Sequence, residues 1–132
     1  MKDFGTDSAD PVDYPDVIVP AVRAVARGEV ERGIVFGGSG NGEAMAANKV
    51  AGIRAALCHD VTTARLARQH NDANVLALGA RITGTEVAAD IVRAFLDTTF
   101  EGGRHARRVE KLRALDEERS AAPSRPREGG RR

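Results

Sequence analysis

Apolar residues in this chain follow two rhythms, and the alternation between them outlines a fold. Three runs are too short for helices and too continuous for a sheet with one wet face: residues 33–37 (Gly-Ile-Val-Phe-Gly), 53–58 (Ile-Arg-Ala-Ala-Leu-Cys) and 74–78 (Asn-Val-Leu-Ala-Leu). Each has turn or polar residues beside it and reads as a short buried strand. Residues 42–50 and 61–70 between them read as helices. The order strand, helix, strand, helix, strand is the signature of a parallel sheet covered on both faces, and the predicted class is α/β with three layers, helix, sheet, helix.

Further helices flank this unit. Residues 13–27 have an acidic start at Asp13 and Asp16, with Pro15 in the first turn and apolar Val17, Val19, Val22 and Val25. Pro20 falls inside that pattern, which predicts either a kink or a later true start. Thr83 to Thr98 carries Val87, Ile91, Ala94 and Phe95 at helical spacing, with Thr83 or Thr85 as its cap. Arg104 to Arg119 carries Val109, Leu112 and Leu115 in a final helix. Residues 1–119 thus read as one domain. From Ser120 to Arg132 the chain has too little apolar surface to offset its ordering entropy, and a disordered tail is expected. Residues 1–12 offer no strand beyond what Phe4 contributes, so a sheet of three strands is expected, small for a doubly wound domain.

Bulk properties narrow the classes. At 132 residues, 42% hydrophobic and 30% charged, the chain suits a single soluble domain. No run approaches the length of a membrane span, and Met1-Lys2-Asp3 resembles no secretory signal, so a cytoplasmic protein without a membrane partner is expected. Cys58 is the only cysteine, which excludes an internal disulfide, and its place at the end of an apolar run suggests a packed thiol. The net charge of +1 hides a basic C-terminal end, where basic side chains alternate with Glu110, Asp116, Glu117 and Glu118. No aromatic residue follows Phe100, which argues against a nucleic-acid surface with stacking platforms and for a small phosphorylated ligand.

The densest chemistry lies in Gly37-Gly38-Ser39-Gly40-Asn41-Gly42-Glu43, directly behind the first strand. A glycine-rich turn that opens a helix lets several backbone N–H groups converge on one anionic oxygen, with the helix dipole in support. Glu43 is the odd member, because a carboxylate in the first helical turn repels an anion held there. A proton carrier at that place would make sense, and an exposed glutamate at a helix N-terminus is the plain alternative. The spacing partly matches a dinucleotide loop, with Asp60 as the acidic partner. The position of its third glycine, however, is filled by Glu43.

Other candidates are less distinct taken singly. His70 and Asn71 end a helix just before the third strand, where they either close the helix, with Asn71 as its cap, or serve a neighbouring site. Arg81 follows the third strand, where open parallel sheets bind ligands. Arg104 and Arg108 share a helix face, with His105 beginning the next row, and forked guanidinium donors suit a phosphate dianion.

Taken in order, the loop 37–43 together with Ala46-Ala47-Asn48-Lys49, Gly52-Ile53-Arg54-Ala55, residues 67–76 (Ala-Arg-Gln-His-Asn-Asp-Ala-Asn-Val-Leu) and Gly102-Gly103-Arg104-His105 resemble type B ribose-5-phosphate isomerase, of the ribose/galactose isomerase family. The resemblance covers roughly residues 4–118. It implies a Rossmann-like α/β/α sheet and an aldose-ketose isomerisation of a phosphorylated pentose through a cis-enediolate, with no metal or organic cofactor. One branch of the family uses a cysteine at the position of Gly37 as base and another uses the glutamate that closes the loop, so the resemblance implies Glu43 here. It further implies that Gly38, Ser39, Gly40, Asn41 and Gly42 hold the substrate and its enediolate oxygen. His70 would assist ring opening with Asn71 alongside, and Arg81, Arg104, His105 and Arg108 would hold the phosphate. Family members are homodimers or dimers of dimers whose sites draw on two chains. Another phosphorylated sugar, or a truncated homologue without catalysis, are the alternatives. Family chains also begin with a strand, an Asp-His pair and a helix that this sequence lacks. The expectation is an N-terminally truncated sheet, with Met1 an internal or misassigned start and about 35 to 40 residues preceding it.

Overall fold

The computed structural model describes residues 1–5 and 11–121. Eight elements follow one another: α1 (Tyr14–Ala26), β1 (Gly33–Gly37), α2 (Asn41–Asn48), β2 (Ala55–Leu57), α3 (Val61–Asn71), β3 (Val75–Gly79), α4 (Thr85–Asp97) and α5 (Arg104–Ala121). The three strands form a parallel sheet in the order β1-β3-β2. β3 is central and buried along its whole length, which is why Val75-Leu76-Ala77-Leu78 is continuously apolar.

Alternate side chains of β3 feed two cores. Val75 and Ala77 face the cluster made with Ile18, Val22 and Val25 of α1 and Ala47 of α2. Leu76 and Leu78 face the cluster made with Ala64 and Ala67 of α3 and Ile91 and Phe95 of α4. This is the three-layer α/β/α arrangement that the alternation of strands and helices predicts. Three strands are found among the described residues, and β1 pairs on one side only. None of the described helices is long and apolar enough to cross a membrane.

The sequence reading needs correction at several boundaries. Pro20 neither breaks α1 nor delays its start: the helix runs unbroken from Tyr14. The donor that proline lacks would have met the carbonyl of Asp16, which lies in the exposed first turn and can turn to water. Neither Thr83 nor Thr85 caps α4. Its N-cap is Gly84, without a side-chain bond, and the Thr83 hydroxyl is buried with no partner. Asn71 is the last helical residue of α3, and Asp72, at φ +47°, closes the helix instead. β2 is three residues long, not six, and α5 reaches Ala121, two residues beyond the expected end. The rest of the expected tail lies outside the described residues.

A polar knot ties α3 to the sheet at the N-terminal end of the strands. The Arg68 side chain is 6% exposed and donates to the Asp72 carboxylate at 2.9 Å, the Ala73 carbonyl at 2.6 Å and the Thr98 carbonyl at 3.1 Å. Arg54 donates to the carbonyl and the carboxylate of Asp72, and its own N–H is accepted by the Asn74 amide at 2.8 Å. Asn48 exchanges two hydrogen bonds with Ala55, at 2.8 and 3.0 Å, supplying the open edge of β2 with a side-chain substitute for a neighbouring strand. Replacing Arg68 by Met keeps the apolar stem but leaves the Ala73 and Thr98 carbonyls without this donor and the Asp72 carboxylate with Arg54 alone. Arg68→Met should cost about 2–4 kcal/mol in urea unfolding, whereas Arg93→Met, at a solvent-exposed pair with Asp90, should change it by less than about 1 kcal/mol.

Candidate active site

β1 ends at Gly37, and the chain turns over the end of β3 before α2 begins. The turn is clamped to the sheet: Ala80 N–H donates to the Gly37 carbonyl at 2.8 Å and Arg81 N–H to the Gly38 carbonyl at 2.9 Å. Ser39 lies so close to Gly79 that a β-carbon there would stand 2.7 Å from the Ser39 carbonyl carbon. Gly40 is the N-cap of α2 at φ +84°, a left-handed conformation that a side chain would resist, and a β-carbon on it would run into Leu57 and the Leu78 backbone. Held in this way, the turn leaves several of its donors without a protein acceptor. Among the described residues the N–H groups of Ser39 and Gly40 meet no protein acceptor, and Gly42 and Glu43 fall in the helix's first turn, whose N–H groups have no intrahelical partner. Asn41 N–H is accepted by the Ser39 hydroxyl at 3.2 Å.

Glu43 is 7% exposed; its carboxylate has no hydrogen-bond or ion-pair partner among the described residues, and its oxygens keep some contact with solvent. It lies flat against the backbone of Gly37, and a β-carbon at that position would overlap it. A carboxylate set against glycine, without a protein donor, remains open to a proton. Arg81 extends over the same turn, its Nε 3.5 Å from where a Gly38 β-carbon would be. Tyr14, from the start of α1, covers Gly42 so closely that a β-carbon would meet its ring and hydroxyl at 2.6 Å. The loop, Glu43, Arg81 and Tyr14 thus form one cluster at the C-terminal ends of the strands.

The remaining predicted residues lie elsewhere. α3 runs back from the C-terminal end of β2 to the N-terminal end of β3, so His70 and Asn71 sit at the opposite edge of the sheet. The five-residue length of β3, about 13 Å from first to last residue, separates the two ends. His105, in the first turn of α5, stacks on His70 with ring centroids 4.2 Å apart and planes at 11°. Burial pushes the His105 imidazole below its usual pKa, with His70 and Arg104 adding to the effect and Glu101 opposing it. Arg104 and Arg108 are exposed on the same first turns of α5. From there α5 passes across this edge of the sheet, where Asp116 accepts from Gly52 N–H at 2.9 Å. It borders a half-open cleft of ≈ 440 Å³ lined by Arg54, Asn71, Leu112 and Arg113 among others, remote from Glu43.

Within one chain the predicted residues therefore fall into two groups. One gathers Gly38, Ser39, Gly40, Asn41, Gly42, Glu43 and Arg81; the other gathers His70, Asn71, Arg104, His105 and Arg108. Sequence reasoning missed two participants. Tyr14 reads as part of a helix start, and only the packing of α1 on α2 brings it to Gly42. Glu101 reads as a loop residue, but its N–H donates to the Gln69 carbonyl at 3.0 Å, which sets its carboxylate beside both imidazoles. Cys58 is 1% exposed, and burial raises its thiol pKa, in keeping with a packed, unreactive side chain.

Comparison with known proteins gives this geometry a family. A model of the Ribose/Galactose Isomerase family matches residues 1–112. Ribose-5-phosphate isomerase B of Escherichia coli is 49% identical over 118 residues, 89% of this chain and 79% of that protein. D-erythrulose-4-phosphate isomerase of Pectobacterium atrosepticum is 50% identical over 99 residues, 75% of this chain and 65% of that protein. The solved structure of Clostridium thermocellum ribose-5-phosphate isomerase B superposes with a TM-score of 0.85 at 50% identity, covering 88% of this chain and 78% of that one. The chain belongs to the ribose/galactose isomerase family and is an isomerase of sugar phosphates.

Proposed function

We propose that the protein interconverts ribose 5-phosphate and ribulose 5-phosphate through a cis-enediolate, with Glu43 as the base. The observation that carries this reading is the Glu43 carboxylate itself, set against Gly37 without a protein partner among the described residues, and following a turn whose Ser39 and Gly40 N–H groups also meet no protein acceptor. In the open-chain aldose, Glu43 takes the proton from C2 and the electron pair moves into a C1–C2 double bond, leaving an enediolate. The free amides of the loop offset the negative charge on its oxygen, a contribution of about 10²–10³ in rate for each donor. Transfer of the hydroxyl proton from O2 to O1 and return of the Glu43 proton to C1 give the ketose. No electron leaves the substrate, so the step balances with one acid-base group and a proton relay.

His70, Asn71, Arg104, His105 and Arg108 lie at the far edge of the same sheet, too distant to touch a pentose held at Glu43. The reading therefore includes a homodimer, or a dimer of dimers, in which this group faces the Glu43 cluster of the partner. There His70 assists opening of the furanose ring, with Asn71 beside it, and Arg104, His105 and Arg108 meet the phosphate together with Arg81 across the interface. The second reading, isomerisation of a tetrulose phosphate, comes from the similarity to the D-erythrulose-4-phosphate enzyme, which is 50% identical but over the shorter span of 99 residues.

Glu43→Gln should lower kcat for ribose 5-phosphate at least about 10²-fold while the substrate still binds. An unchanged rate would reject Glu43 as the base. Gly37→Ala should leave the fold intact by circular dichroism but displace the carboxylate, with a loss of activity approaching that of Glu43→Gln. A higher kcat/KM for D-erythrulose 4-phosphate than for ribose 5-phosphate in the same assay would replace the first reading by the second.

A further inference from the structure

We infer that a second copy of this chain docks its α2 into the cleft beside α5, with Met45 as the anchor, and that this contact assembles the shared site; the inference deepens the reading above and rests on it. α5 carries Val109, Leu112 and Leu115 at helical spacing, yet only Val109 reaches the interior, at 5% exposed. Leu112 and Leu115 remain 44% and 50% exposed. The far half of α5 is fastened by polar contacts instead. Gly52 N–H donates to the Asp116 carboxylate at 2.9 Å, and Arg119 donates to the Asn48 and Lys49 carbonyls at 3.3 and 3.4 Å. Between these contacts and the edge strand β2 the cleft of ≈ 440 Å³ stays open. Its apolar lining comes from Ile53, Ala55, Ala56 and Ala73 on the sheet side and from Leu112 and Leu115 on α5.

Most of the polar groups around the cleft are already engaged. Arg54 is bound to Asp72, Asn48 to Ala55, Asp116 to Gly52 and Arg119 to the end of α2. The cleft therefore offers an apolar surface rather than a set of donors for a small polar ligand. A protein partner suits it better, since the centres of homodimer interfaces are apolar and enriched in methionine and arginine.

Met45 is the complementary feature. In α2, Glu43 and Ala47 are turned into the protein, 7% and 0% exposed, whereas Met45 between them projects from the opposite side and is 66% exposed. It stands about 3 Å further along the helix than Glu43. The cleft in turn is lined by Asn71, next to His70. A rotation that brings the Glu43 cluster of one chain to His70 and Asn71 of another therefore carries Met45 to the neighbouring cleft, and in a two-fold pair the same contact forms twice. An unbranched thioether adapts to such an irregular, half-open surface.

The test follows association of the full chain by sedimentation velocity over a concentration series, alongside isomerase activity. The wild type should be dimeric or tetrameric at micromolar concentration, and Met45→Glu and Leu115→Glu should each raise the dissociation constant at least about 30-fold. Both replace exposed side chains and should keep the native circular dichroism spectrum. Mixing identifies the contact. Met45→Lys chains combined with Leu115→Glu chains should associate more tightly than either variant alone, because the mixed dimer sets the new lysine against the new glutamate and leaves its other Met45–Leu115 contact native. A monomeric wild type, association unchanged in the variants, or no gain on mixing would overturn the docking surface. Activity separates this inference from the functional reading. Variants that are monomeric and inactive, and regain activity on mixing, support both, whereas monomeric variants with wild-type kcat/KM would uphold the surface and contradict a site shared between chains.

Discussion

The carboxyl group of Glu43 and a β-carbon at position 37 would fill the same space, and this exclusion organises the cluster at the C-terminal ends of the strands. Because residue 37 is glycine, the glutamate lies down against the strand end instead of pointing to solvent. The turn between them must then leave the sheet, pass over Gly79 and enter α2 within three residues, which the left-handed conformation of Gly40 permits. The family resemblance offers two alternative bases, a cysteine at position 37 or a glutamate at position 43. In this geometry they compete for one volume, so a chain carrying both would have to turn the glutamate away from the strand end.

What supports that arrangement is the buried central strand. β3 carries its apolar side chains alternately into both cores, and its last residues accept the weight of the loop through Gly79, Ala80 and Arg81. At its other end the same strand begins beside the knot of Arg54, Arg68, Asp72 and Asn74, and that knot fixes the end of α3. His70 and Asn71 are placed by this second anchorage, not by the loop. One strand thus positions two groups of polar residues at its two ends, and for both to act on one substrate, as proposed, two chains would have to associate.

The strands were legible in the sequence because β1 and β3 are apolar and bounded by glycine or asparagine, and because the loop between β1 and α2 contains little but glycine. The boundary errors have local physical causes. Asp72 takes a left-handed conformation that asparagine was expected to adopt, and its carboxylate is held there by two arginines. Pro20 is tolerated because its missing hydrogen bond falls on the exposed first turn. The placement of Glu43 was half legible: its position in the loop signalled a misfit, but its burial against Gly37 depends on packing. Tyr14 over Gly42 and the stacking of His70 on His105 could not be read, since both depend on how distant helices cross, and local pattern carries no such information.

The division of the site between two chains is the central claim, and subunit mixing tests it most directly. Homodimers of Glu43→Gln and of His70→Ala, each nearly inactive, would be unfolded, combined in equal amounts and refolded together. Random pairing makes half of the dimers mixed, and each mixed dimer keeps one of its two sites intact, so about a quarter of the wild-type rate should return. If the site lies within a single chain, every site in the mixture keeps its lesion, and activity no higher than that of the separate variants would contradict the account.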